Sequence, residues 1–504
     1  MRKRLVKLTT LAIIASMSIS MLSGCGSKAN EATSGEAATS SKATDISIML
    51  ASYTTNIIAN DSPVLKKLEE LTNTKLKFTW IPSTSYADKL NITLASGDLP
   101  NVILADKTAS ILSGVSAGAF WEIGPYLKDY PNLAKANKDI LASTSINGKN
   151  YGIYRGRTYA RNGIVYRKDW LANVGLQEPK TIDEFYNMLK AFTNNDPDKN
   201  GKNDTYGLAA CKSNMVFGMM LPWFGAPNKF AEDASGKLTP DFETTAYKDT
   251  LKFTKKLYDE KLINQDFAVF EPTKVADLFN NGKVGTLVDV TDAAQRADET
   301  MVKADPTKAG AVGVMGSVEG PTGLKNLPTA GYNQMFLFPK SSLKTEADLK
   351  KVLKFMNQLE DKDEQILINN GIQDVTFKLV DGFTEPLDTP ADPTVMAEIN
   401  QLALYLAPTN LAYQVKQTPI RIKTAQVIQE SLKTTVANPV LAYVSKTYTT
   451  NGAQLDNIIE DARVKFIVGQ IDEKGFDAAV ALWKKSGGDA IISEYEAQAK
   501  LYKK

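Results

Sequence analysis

The chain has 504 residues, of which 43% are hydrophobic and 23% charged, and 59 Lys and Arg residues nearly balance 57 Asp and Glu residues. This composition is that of a soluble globular protein of roughly two to four domains, and the balanced charge argues against nucleic acid as a partner. The chain contains no histidine, which excludes Ser-His-Asp and Cys-His catalysis as well as His-ligated zinc and haem.

The N-terminus has the pattern of a secretory leader. A basic segment, 1–7, precedes an uncharged run of 15 residues at 8–22, which is shorter than the roughly 20 residues of a membrane-spanning helix. Leu22-Ser23-Gly24-Cys25 then resembles the bacterial lipobox, in which the cysteine is acylated and becomes the new N-terminus. We therefore expect a lipoprotein signal peptide over 1–24 and a lipidated Cys25. An ordinary signal peptide with a chance cysteine is the alternative.

The segment that follows, 25–44, is dense in Ser, Ala, Thr and Gly and contains no large apolar residue. Such a segment cannot bury a hydrophobic surface, so we expect a flexible tether between the lipid anchor and a folded body.

Beyond the tether, strand and helix patterns alternate. A short apolar strand is predicted over 46–50, and Ser62-Pro63 provides an N-cap and a first helical proline for the next helix. Period-two alternation over 76–80 predicts a second strand, an amphipathic helix follows over 86–95, and a third strand is predicted over 101–105. This order predicts an α/β sheet with parallel neighbours.

The same pattern returns later in the chain. Thr181 and Glu184 have the spacing of a capping box that opens an amphipathic helix, and Thr345 opens another. Apolar strands are predicted over 284–288 and 335–338, and the last hundred residues look largely helical. No repeat with a period of 20–50 residues is present, which argues against a solenoid or a propeller.

The segment DPDKNGKNDT at 196–205 has the pattern of an EF-hand-like calcium loop. Oxygen-bearing side chains occupy positions 1, 3, 5 and 9, glycine occupies position 6, and position 7 supplies a backbone carbonyl. Position 12 is Gly207, so the usual bidentate glutamate is missing. We predict a structural Ca²⁺ site, with a solvated Asx-rich turn as the alternative. The predicted ligands are Asp196, Asp198, Asn200, Lys202 and Asp204.

Six short strings, in order and spacing, resemble the extracellular solute-binding lipoproteins of bacterial ABC importers, in the oligosaccharide-binding branch common in Gram-positive bacteria. They are LASGDLPN at 94–101, NGKNYG at 147–152, YRKDWL at 166–171, FGAPN at 224–228, FNNGK at 279–283 and WKKSGG at 483–488. The resemblance implies a type II two-lobe fold in which each lobe is an α/β sheet domain, with a cleft between the lobes.

In this fold the chain crosses between the lobes about three times. We place the crossings near 153–160, 326–332 and 381–391. Both lobes are then discontinuous. The N-terminal lobe would contain 45–155 and 330–385, and the C-terminal lobe would contain 160–325 and 392–504.

The resemblance also implies a function. It is typical of a monomeric binding protein, not an enzyme, that captures an oligosaccharide and delivers it to ABC permease subunits from the outer face of a Gram-positive-like cell membrane. The chain has no GxxxxGK[ST] phosphate loop, so a separate ATPase would supply the energy. In family members with a similar calcium loop, the residue after position 9 is also a ligand, and here it is Thr205.

Two other functions stay open. The first is a surface glycoside hydrolase or lyase that uses two carboxylates. The second is a sensor that presents its ligand to a membrane kinase.

Candidate sugar contacts follow from the positions of strand ends, since ligands of open α/β sheets lie beyond the carboxyl ends of the strands. Sugar binding also requires flat apolar faces and planar hydrogen-bonding groups. The candidates at strand ends, at the crossings and in one aromatic loop are Tyr53, Asp106, Lys107, Arg155, Arg157, Trp223, Asp289, Asp292 and Tyr332. Trp223 could equally belong to the core, and the two arginines could be solvated or paired with acids. If the arginines face the cleft, an acidic or modified sugar is favoured over a neutral one.

Overall fold

The computed structural model describes residues 42–52, 58–59, 61–211, 215–387, 399–406 and 411–502. Its fold is built on two separate large sheets, each covered by helices. The predicted signal peptide, Cys25 and the predicted tether up to residue 41 lie outside the described residues. From Ala43 onward the chain forms one compact unit. Within the described residues, no helix combines the length and apolar character needed to cross a bilayer.

The strands are β1 (Thr44–Ser52), β2 (Thr74–Pro82), β3 (Val102–Ala105), β4 (Gly152–Gly156), β5 (Asn162–Arg167), β6 (Tyr206–Leu208), β7 (Phe230–Glu232), β8 (Leu238–Pro240), β9 (Val284–Val290), β10 (Val312–Met315), β11 (Glu319–Gly320), β12 (Gly323–Leu324), β13 (Tyr332–Leu337), β14 (Phe377–Val380) and β15 (Phe383–Pro386).

The α-helices are α1 (Pro63–Thr72), α2 (Tyr86–Ser96), α3 (Ala109–Ser116), α4 (Lys138–Thr144), α5 (Lys168–Asn173), α6 (Ile182–Asn194), α7 (Met215–Met220), α8 (Thr245–Asp259), α9 (Val275–Asn280), α10 (Ala293–Ala304), α11 (Glu346–Gln358), α12 (Lys362–Asn369), α13 (Pro419–Ser431), α14 (Lys446–Ile467), α15 (Glu473–Trp483) and α16 (Asp489–Tyr502).

The first sheet has the strand order β2-β1-β3-β13-β4. β1 runs parallel to β2 and β3, whereas β13 is antiparallel to both β3 and β4. The predicted parallel β-α-β-α-β order of the first hundred residues is therefore confirmed. One face of the sheet packs against the apolar sides of α1, α11 and α12, and the other packs against α2 and α3. We call this sheet and its helices the first lobe.

The second sheet has the order β10-β5-β9-β6, in which β5 is antiparallel to both neighbours and β6 is parallel to β9. Aromatic residues of α6, α8 and α14 cover one face, and α9, α10 and α13 cover the other. We call this sheet and its helices the second lobe. Together the two lobes confirm the predicted two-lobe α/β fold.

The predicted capping boxes begin two of these helices. The Thr181 hydroxyl accepts a hydrogen bond from the Glu184 N–H (3.2 Å), and the Glu184 carboxylate accepts one from the Thr181 N–H (3.3 Å). Thr345 and Asp348 make the same reciprocal pair at the start of α11. Each box satisfies backbone N–H groups that a helix N-terminus otherwise leaves without partners, which explains why the helices start at these residues.

The third crossing lies later in the chain than predicted. Residues 399–406 contribute Ile399, Leu402, Leu404 and Leu406 to the core of the first lobe, not to the second lobe. Among the described residues after 406, α13 is the first helix that packs on the second lobe, where it contacts α10 and β10. The boundaries predicted near 381–391 and at 392 are therefore wrong. The prolines of that region suggested a boundary, but the next apolar residues still pack against the first sheet.

Candidate ligand-binding cleft

The chain segments that connect the lobes lie side by side. The Arg157 N–H donates to the Gly331 carbonyl (2.9 Å), and the Thr329 N–H donates to the Tyr159 carbonyl (2.8 Å), so the first and second crossings are joined by backbone hydrogen bonds. The Gly156 N–H donates to the Leu404 carbonyl (2.5 Å), which places the segment before the third crossing against the end of β4. Groups from both lobes therefore meet at this junction.

A cavity of about 860 Å³ opens beside this junction and is lined by both lobes. We call it the arginine cavity, because Arg155, Arg157 and Arg161 all line it. The other polar residues of its wall are Lys135, Asn137, Thr158, Asp292, Gln295, Asn400, Gln401, Tyr405 and Thr424. Arg155 and Tyr405 come from the first lobe, whereas Asp292, Gln295 and Thr424 come from the second. A ligand bound here would contact both lobes.

The arginines differ in their surroundings. Arg155 lies within β4 and is only 1% exposed. Arg157 donates from Nη1 to the Gly156 carbonyl (2.8 Å), and its guanidinium lies 6.0 Å from the centroid of the Tyr405 ring. Arg161 donates from Nη2 to Asp292 Oδ1 (2.6 Å). The cavity wall therefore combines two partly exposed arginines, Arg157 and Arg161, with one deeply buried arginine, Arg155.

Asp292 belongs to an ion-pair network, not to an acid–base pair. Its carboxylate binds both Arg161 and Arg296. Burial opposes its ionisation, but the charges of Arg161 and Arg296 outweigh that effect and hold the pKa of Asp292 below its ordinary value. Asp292 is therefore ionised at neutral pH and does not have a proton to give to a glycosidic oxygen.

A second polar group lies at the strand ends of the first lobe. The Gln334 side-chain amide donates to Asp106 Oδ2 (3.3 Å). Although Asp106 is solvent-accessible, nearby protein atoms partly dehydrate its carboxylate and raise its pKa. Burial, together with the charge of Asp106, raises the pKa of Tyr332 to about 12. Asp106 therefore lies close to Tyr332 and accepts a hydrogen bond from Gln334.

Lys107 makes a different contact, between the lobes. Its Nζ donates to the Ser143 carbonyl of the first lobe (2.6 Å) and to the Leu441 carbonyl near the second lobe's core (3.3 Å). Burial lowers its pKa to about 8. Lys107 also lines a second cavity of about 460 Å³, which we call the aromatic cavity because its wall includes Phe230, Phe242, Tyr443, Tyr448, Trp483 and Tyr495.

The remaining predicted contacts do not join these groups. Trp223 is 2% exposed and packs edge-to-face on Phe185 (5.3 Å between ring centroids), so the prediction that it contacts ligand is wrong. A 3-10 turn over Leu221–Phe224 directs its indole into the core. Asp289, at the end of β9, accepts a hydrogen bond from the Val290 N–H (2.6 Å), and burial raises its pKa. Tyr53 lies outside the described residues.

Sequence reasoning missed most of the polar groups of the arginine cavity, among them Arg161, Lys135 and Tyr405. Arg161 directly follows the predicted first crossing, so extending the segment by one residue would have found it. Lys135 lies before α4, and Tyr405 was assigned to the other lobe. Neither position carries a local signal, because only the packing of distant segments brings them to β4.

The predicted calcium loop has converging oxygen atoms. The Asp196 carboxylate accepts hydrogen bonds from the Asn200 and Gly201 N–H groups (both 3.0 Å). The Asn200 side-chain amide donates to Asp198 (2.8 Å) and Asp204 (3.1 Å). The carboxylate oxygens of the loop thus accept hydrogen bonds from N–H groups inside it. A bound Ca²⁺ could take the place of these donors, because Ca²⁺ prefers oxygen ligands.

Other features of this loop differ from the prediction. The Thr205 hydroxyl is buried and donates to the Phe192 carbonyl of α6 (2.7 Å), so its side chain fastens the loop to the helix and does not join the carboxylates. Lys283 pairs with Asp204 (3.0 Å). The Lys202 N–H donates to Asn200 Oδ1 (2.8 Å). Among the described residues, no three Asp, Glu or Cys side chains are close enough together to hold a metal ion.

Two α/β lobes, joined by paired crossings and separated by polar cavities, define the class of two-lobe solute-binding proteins. Residues 54–366 match the family model of bacterial extracellular solute-binding proteins, and the chain belongs to this family.

Relatives and solved structures agree with this assignment. The chain is 43% identical to lipoprotein LipO of Bacillus subtilis (strain 168) over 490 residues, covering 96% of each protein. It is 38% identical to the polygalacturonan/rhamnogalacturonan-binding protein YtcQ of the same organism, covering 87% of this chain and 88% of the relative.

Solved structures of the substrate-binding protein FusA of Streptococcus pneumoniae, with kestose and, as an EF-hand mutant, with fructo-nystose, have TM-scores of 0.69 and 0.70. They are 19% identical to this chain and cover 91% of it and 99% of their own length, which shows a shared fold.

Proposed function

We propose that this protein is the substrate-binding lipoprotein of an ABC importer, which captures an oligosaccharide between its lobes and delivers it to membrane permease subunits driven by a separate ATPase. The observation that carries the proposal is a family-typical two-lobe fold with a cavity of about 860 Å³ that is lined from both lobes. A ligand that contacts both lobes favours their closed arrangement by its differential affinity. The saccharide-binding names of YtcQ and FusA support the same ligand class.

A binding role agrees better with the cavity than a carboxylate hydrolase does. Glycoside hydrolysis requires one protonated acid and one carboxylate on either side of the bond. The carboxylate described in the arginine cavity, Asp292, is engaged by two arginines and stays ionised. The arrangement supports binding without cleavage.

A thermal-shift screen of purified protein against neutral and acidic oligosaccharides tests the proposal. A ligand at 100 times its Kd stabilises the native state by about 2.7 kcal/mol, which is readily measured as a rise in melting temperature. We expect at least one oligosaccharide to raise the melting temperature and to be recovered intact. Release of shorter products at enzyme-like turnover would overturn the binding assignment.

We further propose that the mature protein acts as a monomer anchored outside the cytoplasm by an acylated Cys25. The lipobox and the lipoprotein designation of LipO support this localisation. Cys25→Ala should release the protein into the medium, whereas wild type should stay with the membrane fraction. Release of both forms alike would contradict the anchor.

Finally, we propose that the loop at 196–205 binds Ca²⁺ through Asp196, Asp198, Asn200 and Asp204, with the Lys202 carbonyl. Bound calcium would stabilise the connection between α6 and β6. Excess EGTA should therefore lower the melting temperature, and Asp198→Asn should remove this response. Asp233→Asn is the matched control, since Asp233 is also an exposed loop carboxylate that accepts local N–H groups. An EGTA melting curve identical to that in Ca²⁺ would contradict the site.

A further inference from the structure

We propose that the arginine cavity selects an acidic oligosaccharide, and that its guanidinium groups bind the carboxylates of uronic acid residues. This inference rests on the proposed function, because it names the class of sugar that the interlobe site would take. Four observations carry it: the charge of the cavity wall, the geometry of its cations, the sugar-binding groups beside them and the contrast with the aromatic cavity.

The wall of the arginine cavity has an excess of positive charge. Its described residues include four cations, Lys135, Arg155, Arg157 and Arg161, against one acid, Asp292. The charge of Asp292 is already shared between Arg161 and Arg296. Glu360 does not line the cavity; it is buried and accepts the Tyr405 N–H (3.1 Å). The cavity therefore stays net positive, and a recessed site focuses such a field on an anionic ligand.

The geometry of the cations suits a carboxylate. A guanidinium is planar and binds a carboxylate through two parallel N–H···O bonds, which a point charge cannot do. Arg157 is held by the Gly156 carbonyl and the Tyr405 ring, and Arg161 is held by Asp292. Both groups are positioned before the ligand arrives, so little side-chain entropy is lost on binding.

The same wall carries groups that recognise sugar rings. Tyr405 is 38% exposed, and its ring lies beside Arg157, so it offers a flat face to the C–H groups of a pyranose. Gln295, Asn400 and Gln401 add side-chain amides that can bind pairs of hydroxyls. The volume of about 860 Å³ lies within the usual range of about 300–1,000 Å³ for ligand sites.

The aromatic cavity lacks this charge excess. Its described wall has three cations, Lys107, Lys229 and Arg463, and three acids, Asp241, Asp456 and Glu460. The positive charge is thus a property of the arginine cavity and not of the interlobe region in general. The excess of cations therefore favours an anionic sugar in the arginine cavity and not in the aromatic cavity.

Isothermal titration calorimetry of the purified protein tests the inference. The ligands are trigalacturonic acid, trimannuronic acid, the methyl ester of each, sulfated maltotriose and unmodified maltotriose. The methyl esters keep the size and stacking surface of the uronates but remove their charge. We expect at least one uronate to bind about 10-fold or more tightly than its ester, because charge-assisted bidentate bonds are lost on esterification. Its affinity should also fall when ionic strength rises from about 0.02 M to about 0.5 M.

Two variants assign the effect to the cavity. Arg157→Gln should weaken uronate binding about 10-fold or more and change ester binding by less than about 3-fold. Lys350→Gln is the control, because Lys350 is an exposed cation on α11 that pairs with Glu346 outside the cavity. It should leave both affinities unchanged. If Arg157→Gln fails to fold, the salt dependence of uronate binding to the wild-type protein still tests whether the site prefers a charged sugar.

The outcomes separate this inference from the proposed function. Equal binding of uronate and ester, binding of maltotriose alone, or tighter binding of the sulfated sugar would overturn the carboxylate assignment and leave oligosaccharide binding intact. Binding of no saccharide, here or in the wider screen, would overturn the proposed function and this inference with it.

Discussion

The close contact between the first lobe's edge strand and the segment before the third crossing predicts that Gly156 tolerates no side chain. A Cβ at this position would lie 2.3 Å from the Tyr405 carbonyl oxygen and 3.2 Å from the Leu404 carbonyl oxygen. Both atoms belong to the backbone, and the Gly156 N–H is itself bonded to Leu404, so neither side can rotate away. Gly156→Ala must therefore push residues 404–405 away from β4.

The cost of this shift can be estimated. Overpacking usually destabilises by about 1–3 kcal/mol, and we expect about 2 kcal/mol here. For a cooperative unit of about 150–250 residues, each kcal/mol lowers the melting temperature by about 2–4 °C, so a decrease of roughly 4–8 °C is expected. Because Tyr405 lines the arginine cavity, the same shift should also weaken ligand binding there.

Differential scanning calorimetry of Gly156→Ala beside Gly124→Ala measures the effect. Gly124 is a suitable control because its Cβ would meet Asn150 at an ordinary 3.6 Å, and neither glycine has a left-handed backbone. We expect Gly124→Ala to melt within about 1 °C of wild type, since surface changes away from special features are usually small. If the two variants melt at the same temperature, the packing argument is wrong.

Two further predictions follow from buried residues of the second lobe. Trp223→Ala should destabilise the protein by about 3–5 kcal/mol in thermal or urea unfolding, while the surviving native protein keeps its ligand affinity, because the indole packs in the core. Burial raises the pKa of Asp241 to about 6, so the native state takes up a proton more readily than the unfolded state, and stability is lost as pH rises through 6. Relative to Asp241→Asn, wild type should gain about 1 kcal/mol between pH 7 and pH 5, and a flat difference would contradict this.

Several local features were predictable because neighbouring residues decide them. The capping boxes at Thr181 and Thr345 depend on side chains three positions apart, and the strands at 46–50 and 76–80 follow from period-two or apolar patterns. The loop at 196–205 was recognisable for the same reason, since its donors are consecutive. Its calcium occupancy stays a prediction.

Features that depend on distant contacts were not predictable. The proline-rich region before residue 399 suggested that the chain leaves the first lobe there, but five apolar residues of 399–406 still pack in that lobe's core. Trp223, placed in a loop between Pro222 and Gly225, had the composition of a ligand-binding loop. A single 3-10 turn was enough to bury its indole against Phe185.

By itself the amino-acid sequence determined the export signal pattern, the alternation of strands and helices, the family and a few of the polar residues of the cavity, because each of these depends on short-range order along the chain. Only the tertiary structure decided which candidates meet. It brought Arg155, Arg157 and Asp292 together with Arg161 and Tyr405, and it placed Asp106 and Lys107 in other surroundings. The physical reason is that both lobes are assembled from segments hundreds of residues apart, so the composition of a cavity depends on how those segments pack.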